Sequence, residues 1–344
     1  MSLIFTEGFD NVDDNTELLR KGWSTATGTF DTTNPRTGPR AYGTGGFLNL
    51  GRQVPAAAEH ATFIAGFSMY HPSTLKTTPN FYLSSDALAT DHVRVNVSAT
   101  GQILVNRGSG ASLLASSDPG VIVIDTQYYV EVKATLSDTV GTVEVKVNGA
   151  TVCSATNVDT KNGGTKTVFD SMRWQHSSGS AYNIDDIYLA NGAGAINNTF
   201  IGECRVRTLY PSGNGNSSQL VGSDGNSVDN YALVDDITPG TGDFVGSSVA
   251  ANKDTYSFED LPDVTGTVVG VTVYAYGAKT DTALRSLLPV TRTSGNDYDG
   301  AEQALSTDPL FAKQLQEVNP ATAVPWLRSE VNAAEFGVKI GPVP

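Results

Sequence analysis

The chain has 344 residues, a formal net charge of −14 and only 17% charged residues, with Gly 35 and Cys 2. That length suits roughly two domains, and a charged fraction below the ~25% of ordinary soluble domains is made up by Gly, Thr, Ser and Asn, the residues of turns and strand surfaces. The longest apolar run, Val121–Ile124, is far short of the ~20 residues of a membrane helix; Met1–Glu7 lacks the basic start and apolar stretch of a secretory signal; and scattered basic residues, with no run beyond Arg20-Lys21, argue against a nucleic-acid partner.

In chain order, Glu17–Lys21 reads as a short helix and Ala61–Met69, Asn80–Leu83, His92–Val97, Gly101–Asn106 and Ser112–Ala115 as short strands. The clearest signal follows. Val130, Val132, Ala134 and Leu136 alternate with Glu131, Lys133 and Thr135; beyond a turn, Val143, Val145 and Val147 alternate with Glu144 and Lys146; Asn148-Gly149 then leads into Thr151–Cys153. Period-two alternation with an Asn-Gly turn predicts an antiparallel meander with one buried and one wet face. Asn183–Leu189 reads as a closing strand.

Ala190–Thr199 has one large apolar residue in ten and reads as a linker. Strands are then predicted at Cys204–Tyr210, Gly270–Tyr276, Ala283–Val290 and Ala334–Ile340, with a long polar stretch at Pro211–Ser227 and brief helices at Ala301–Leu305 and Pro325–Asn332. Many short strands separated by turn residues indicate sandwiches rather than alternating β and α units. The fold class is therefore all-β: a first sandwich over 1–191, a linker over 192–200 and a second β-sandwich over 201–344. Cys153 and Cys204 have no metal-ligand companion and read as reduced thiols, with a disulfide as the alternative.

Glu7-Gly8-Phe9-Asp10, Trp23-Ser24, the Tyr129–Gly149 hairpin and Ile184–Leu189 resemble the concanavalin A-like (laminin G-like) jelly roll. Gly202–Pro211, Asn296–Gly300 and Val331–Gly337 resemble the distal part of tailed-bacteriophage virion proteins. The resemblance implies a virion protein made in the host cytoplasm and displayed on the particle, at the tail or as a capsid decoration. It implies assembly with other virion proteins through β surfaces as a homo-oligomer, a trimer being the common arrangement.

Catalytic chemistry finds little support in the residues. Gly108-Ser109-Gly110 is not a nucleophile elbow, no Glu-x-Asp-x-x-Glu occurs, and Glu131 and Glu144 are expected to be solvated strand charges. The expectation is a protein that is not an enzyme and needs no cofactor. His60, His71, His92 and His176 are expected at the surface or in turns. Asp185-Asp186 is a candidate calcium site, since alternation forces one of the pair inward or towards a loop; Asp10–Glu17 and Asn296–Gly300 are weaker ones, which Asx-turns and helix caps explain more simply. Arg173–Asn183 is the most sugar-like stretch, with Trp174, His176, Tyr182 and Asn183 as candidate glycan ligands; packing of Trp174 inside the sandwich is the competing reading. The function expected is a non-enzymatic virion structural protein. Attachment to a host-surface glycan is the first alternative and polysaccharide degradation the second.

Overall fold

The structure, a computed structural model, describes all residues except 45–46, 76–79, 111, 178–180, 241, 263–264 and 343–344. The chain is all-β and divides into two compact units, Met1–Val206 and Arg207–Pro344. No helix among the described residues is long and apolar enough to cross a membrane.

The first unit contains, in order, β1 (Leu3–Glu7), α1 (Asn15–Arg20), β2 (Thr25–Thr27), β3 (Thr29–Asp31), β4 (Ala41–Thr44), β5 (Phe47–Gln53), β6 (Thr62–Tyr70), β7 (Asn80–Ser85), β8 (Thr90–Val97), β9 (Ile103–Arg107), β10 (Ser112–Ser116), β11 (Gln127–Thr135), β12 (Gly141–Val147), β13 (Ala150–Val158), β14 (Ser171–Ser177) and β15 (Tyr182–Asn191). They form two antiparallel sheets of a jelly-roll sandwich. One is eight-stranded, in the order β13-β12-β11-β6-β15-β4-β3, with β1 also on β15; the other is seven-stranded, in the order β10-β9-β8-β7-β14-β5-β2. The predicted meander is β11–β12–β13, with Val130 opposite Val147 and Val132 opposite Val145. Asn148 and Gly149 both adopt positive φ, as the tight hairpin turn requires.

Aromatic side chains from both sheets meet in the core. The Trp174 ring lies 5.0 Å from Phe81, 5.2 Å from Phe67 and 6.3 Å from Trp23. Trp23 in turn packs on Phe5 and Phe9. Beneath this cluster Glu7 is buried, bonded by Lys21 Nζ at 2.6 Å, Trp23 Nε1 at 3.2 Å and Phe9 N at 3.0 Å. Burial raises the Glu7 carboxyl, but the Lys21 charge and these donors outweigh it and hold the group below its usual value.

Segment 192–206, in the region read as linker and start of the second domain, packs with the first unit. It forms a strap over the outer face of the eight-stranded sheet. Glu131 Oε1 accepts from Gly202 N at 2.8 Å and from Tyr188 Oη at 2.5 Å, while Phe200 lies under Lys146 Nζ at 4.4 Å. Glu131 is thus 1% exposed, not the solvated strand charge that alternation suggested. The missing information was the strap, which alternation along β11 cannot show. Gly66 makes room for the same arrangement, because a Cβ there would collide with the Tyr188 ring.

The second unit contains β16 (Pro211–Ser218), β17 (Val221–Gly222), β18 (Val245–Gly246), β19 (Lys253–Phe258), β20 (Val271–Gly277), β21 (Ser286–Thr293), β22 (Asn296–Asp299), β23 (Gln303–Ala304), β24 (Leu310–Gln316), α2 (Arg328–Ala333) and β25 (Glu335–Ile340). A six-stranded sheet runs β16-β19-β25-β21-β22, with β23 also on β21, and β20–β24 forms a second layer. Between the layers lie two small clusters, Val273, Trp326, Val331, Ala334 and Phe336, and Ala275, Leu287 and Ala312. Tyr274 and Tyr276 flank Phe311, with ring centroids at 6.0 and 4.8 Å. The strand predicted at Cys204–Tyr210 is irregular, and the predicted helix at Ala301–Leu305 instead supplies β23.

Candidate functional site

The residues singled out for sugar binding are inside the sandwich. Trp174 and His176 are 0% exposed, Tyr182 2% and Asn183 5%. Trp174 and His176 alternate inward on β14, so no ring face is left for a sugar. Tyr182 packs against His71 at 5.0 Å, and Asn183 Nδ2 donates to Asp31. Residues 178–180 of that stretch lie outside the described residues. The surface assignment of the histidines is likewise corrected: His71, His92 and His176 are buried, and His92 bonds Ser85 Oγ at 2.8 Å and accepts from Asn162 N at 3.0 Å.

Asp185 and Asp186 occupy a bulge in β15. Asp185 faces Ser68 and Tyr188 faces Gly66, so β15 carries one extra residue, and Asp186 takes φ 51°. The bulge buries both carboxylates, and protein donors fill them. Asp185 Oδ2 accepts from Arg36 N at 2.8 Å and Thr37 N at 3.0 Å, and its Oδ1 from Asp186 N at 2.7 Å. Asp186 Oδ2 accepts from Arg36 Nη1 at 2.7 Å and Thr37 Oγ1 at 2.8 Å, and its Oδ1 from Val206 N at 2.8 Å. Oxygens already holding this many N–H and O–H groups are not arranged for calcium; the pair instead fixes the 36–37 loop and the end of the strap. Burial, then the neighbouring Asp186 charge, raises the Asp185 carboxyl against those N–H donors.

The other acidic loops have structural partners too. Asp14 caps α1 through Glu17 N at 2.8 Å, and Asp13 pairs with Arg40. Asp297 takes Lys253 and Arg292, and Asp299 takes Lys339.

A different face gathers polar side chains on the outward side of a sheet. On the seven-stranded sheet, Met172, Trp174, Phe81, Leu83, Val93 and Val95 point into the core, so their neighbours point away from it. The register then sets a row of outward residues across the strands: Gly51 opposite Arg173, Arg173 opposite Tyr82, Tyr82 opposite Arg94 and Arg94 opposite Asn106. Beside it, Asn49 lies opposite Gln175. The Arg173 guanidinium lies 5.0 Å from the Tyr82 ring and donates to Asp91 at 2.5 Å. Arg94 reaches Ser109 O at 3.0 Å and Gly110 O at 3.1 Å, tying the β9–β10 turn to this face. At the other side Leu88 lies over Gly51, where an added Cβ would approach it to 2.8 Å. Burial, then the Asp91 charge, raises the Tyr82 hydroxyl, which stays protonated despite the two arginines.

Among the described residues, the buried polar atoms without a hydrogen-bond partner include four on this face, Thr25 Oγ1, Asn49 Oδ1, Arg94 Nε and Arg173 Nε, and others inside the units, such as both ring nitrogens of His71 and Trp326 Nε1. A buried polar atom without a partner costs about 1–3 kcal/mol, so such atoms are ordinarily rare and scattered. The four on this face lie around Tyr82, whose ring is itself only 4% exposed beneath Arg173. Periodicity could have identified this face, because Arg173, Gln175, Tyr82 and Arg94 are the polar half of alternating strands. The sheet pairing that unites them is long-range and has no sequence signature.

No protein-family model matches the sequence, and no curated protein is significantly similar to it. Solved structures similar to the chain include an endo-β-1,4-glucuronan lyase from the fungus Trichoderma reesei (11% identity, TM-score 0.37, 55% of this chain and 95% of that one). A carbohydrate-binding module, CBM66, from Bacillus subtilis is similar over 50% of this chain and 96% of its own (13% identity, TM-score 0.34). A mutant Trypanosoma rangeli sialidase is similar over 55% of this chain and 30% of its own (11% identity, TM-score 0.36). Carbohydrate-cleaving enzymes stand in this set beside a binding module, which overturns the expectation that the chain is not an enzyme: a sandwich of this kind does not exclude catalysis.

Proposed function

We propose that the first unit recognises carbohydrate through the outward face of its seven-stranded sheet, as the host-attachment part of a bacteriophage virion protein. The observation that carries the carbohydrate reading is the gathering of Asn49, Arg94, Arg173 and Gln175 on one outward face, with buried polar atoms that find no partner among the described residues. Sugars pair hydroxyl groups with amides and guanidinium groups, which is the chemistry this face offers. The test is a glycan array probed with the full chain and with the double variant Asn49→Ala/Gln175→Ala. Both side chains are half-buried at the face, so the variant should fold normally and lose at least about tenfold in binding, the equivalent of one or two lost hydrogen bonds. Undiminished binding by the variant contradicts the assignment.

The virion part of the reading rests on the resemblance of Gly202–Pro211, Asn296–Gly300 and Val331–Gly337 and is supported by the surface of the second unit. Val228, Ile237, Phe244, Val249, Leu284 and Leu327 are each more than half exposed there. Apolar side chains in that number suit contacts with other particle proteins or further copies of the chain. The chain should appear in mass spectra of purified particles, and its absence from them would remove this part of the proposal.

A further inference from the structure

An open cleft of about 360 Å³ lies elsewhere on the first unit, lined by Pro35, Arg36, Gln127, Tyr128, Tyr129, Asn148, Glu203 and Arg205. Its volume is in the range of small-molecule sites. Four elements build it: the loop between β3 and β4, the start of β11, the β12–β13 turn and the end of the strap.

Several of its polar groups are already used by the protein. Arg36 Nη1 is held by Asp186 at 2.7 Å and Cys204 O at 2.6 Å, its Nη2 reaches Glu203 at 3.1 Å, and its guanidinium lies 4.8 Å from the Tyr129 ring. Gln127 donates to Asn34 O at 3.1 Å and accepts from Ser68 Oγ at 3.0 Å. Tyr129 Oη donates to Asp186 O at 3.1 Å. These residues are framework.

The groups that remain are donors. Arg205 is exposed, and its Nη1 donates to Arg36 O at 3.0 Å and Thr37 Oγ1 at 3.1 Å. Among the described residues, that fixes the guanidinium, leaves Nη2 and Nε without an acceptor and gives Arg205 no carboxylate partner. Asn148 Oδ1 accepts from Tyr129 N at 2.8 Å, which leaves its Nδ2 hydrogens towards solvent. Tyr128 Oη accepts from Val123 N at 3.2 Å and keeps its own hydrogen to donate. A preset guanidinium, an amide and a phenol, all donating, match a ligand rich in acceptors and negatively charged.

We propose that this cleft binds an acidic saccharide, with the Arg205 guanidinium on its oxyanion and Asn148 and Tyr128 on neighbouring ring oxygens. The site is separate from the sheet face, and only the choice of a saccharide among acidic ligands rests on the carbohydrate reading of this unit. Glu203, the carboxylate in the lining, sits at the rim and opposes an anion, so removing its charge should favour binding.

The experiment titrates the full chain with glucuronate, glucose 6-sulfate and glucose by ligand-observed NMR. In the Asn49→Ala/Gln175→Ala background, which silences the sheet face, either acidic sugar should bind where glucose does not, and the two arms tell carboxylate from sulfate. Arg205→Gln should weaken binding at least about tenfold, as for loss of a charge-assisted pair. Arg205→Lys should recover part of it, and Glu203→Gln should tighten it. In that background, equal binding of glucose, no binding of either acidic sugar, or indifference to Arg205→Gln would overturn the proposal.

Discussion

His71 is the side chain with the plainest consequence for stability. It is 1% exposed, neither ring nitrogen has a hydrogen-bond partner among the described residues, and its ring packs on Tyr182. Burial, together with the nearby His176, pushes the imidazole down to about 4 from 6.5. The unfolded chain therefore binds a proton that the folded chain refuses between these two values. The stability from a neutral His71 is complete above pH ~6.5 and is lost as pH falls towards ~4, amounting to about 3 kcal/mol. Asp10 works in the opposite sense. Burial pushes its carboxyl up to about 7, so its contribution is full below its ordinary 3.8 and is lost as pH rises through 7. Urea midpoints of wild type and His71→Phe at pH 7.5 and 5.0 separate the two effects. The wild type should lose more stability than the variant on acidification, and equal losses would show that His71 does not titrate with folding. His71 illustrates why a histidine beside a turn in the sequence cannot be placed: it directly follows β6, and what covers it is the start of β15, more than a hundred residues away.

The elements differ in how far their residues announce them. The β11–β12–β13 meander was legible because each strand alternates valine with charge and the turn is Asn-Gly. β16, Pro-Ser-Gly-Asn-Gly-Asn-Ser-Ser, was not, because it has no apolar residue and forms as an edge strand through backbone bonds to β19. The β15 bulge was half legible: alternation required one of Asp185 and Asp186 to break pattern, but the partners that bury them come from the 36–37 loop and Val206. The strap over Glu131 was read as a linker because its composition is that of one. Its grip gives a test at this scale. Glu131→Ala strips a buried acceptor from Tyr188 Oη and Gly202 N, and should cost about 2–4 kcal/mol and speed proteolysis within 192–206. An unchanged urea midpoint and cleavage rate would mean the strap is held by other contacts.

For the whole molecule, composition and spacing were enough for an all-β chain in two sandwich units. Their limit was the site. Trp174, His176, Tyr182 and Asn183 have the residue types of a sugar site but fall on the inward side of their strands or bind their own chain. Arg173 and Gln175, interleaved with two of them, fall on the outward side. A one-residue change of side separates core from ligand surface, and only the opposite sheet decides which side is which. The acidic balance of the chain has also acquired structure: Glu7, Glu131, Asp185 and Asp186 are buried and bonded, while Arg205 keeps free donors in an open cleft. The central claim is that the outward face of the seven-stranded sheet receives carbohydrate. It is tested most directly by side-chain NMR of the full chain titrated with the strongest glycan from the array, following the amides of Asn49 and Gln175 and the Nε–H groups of Arg94 and Arg173. These four signals should move together and saturate with one affinity; four unmoved signals in the presence of a bound glycan would contradict the claim.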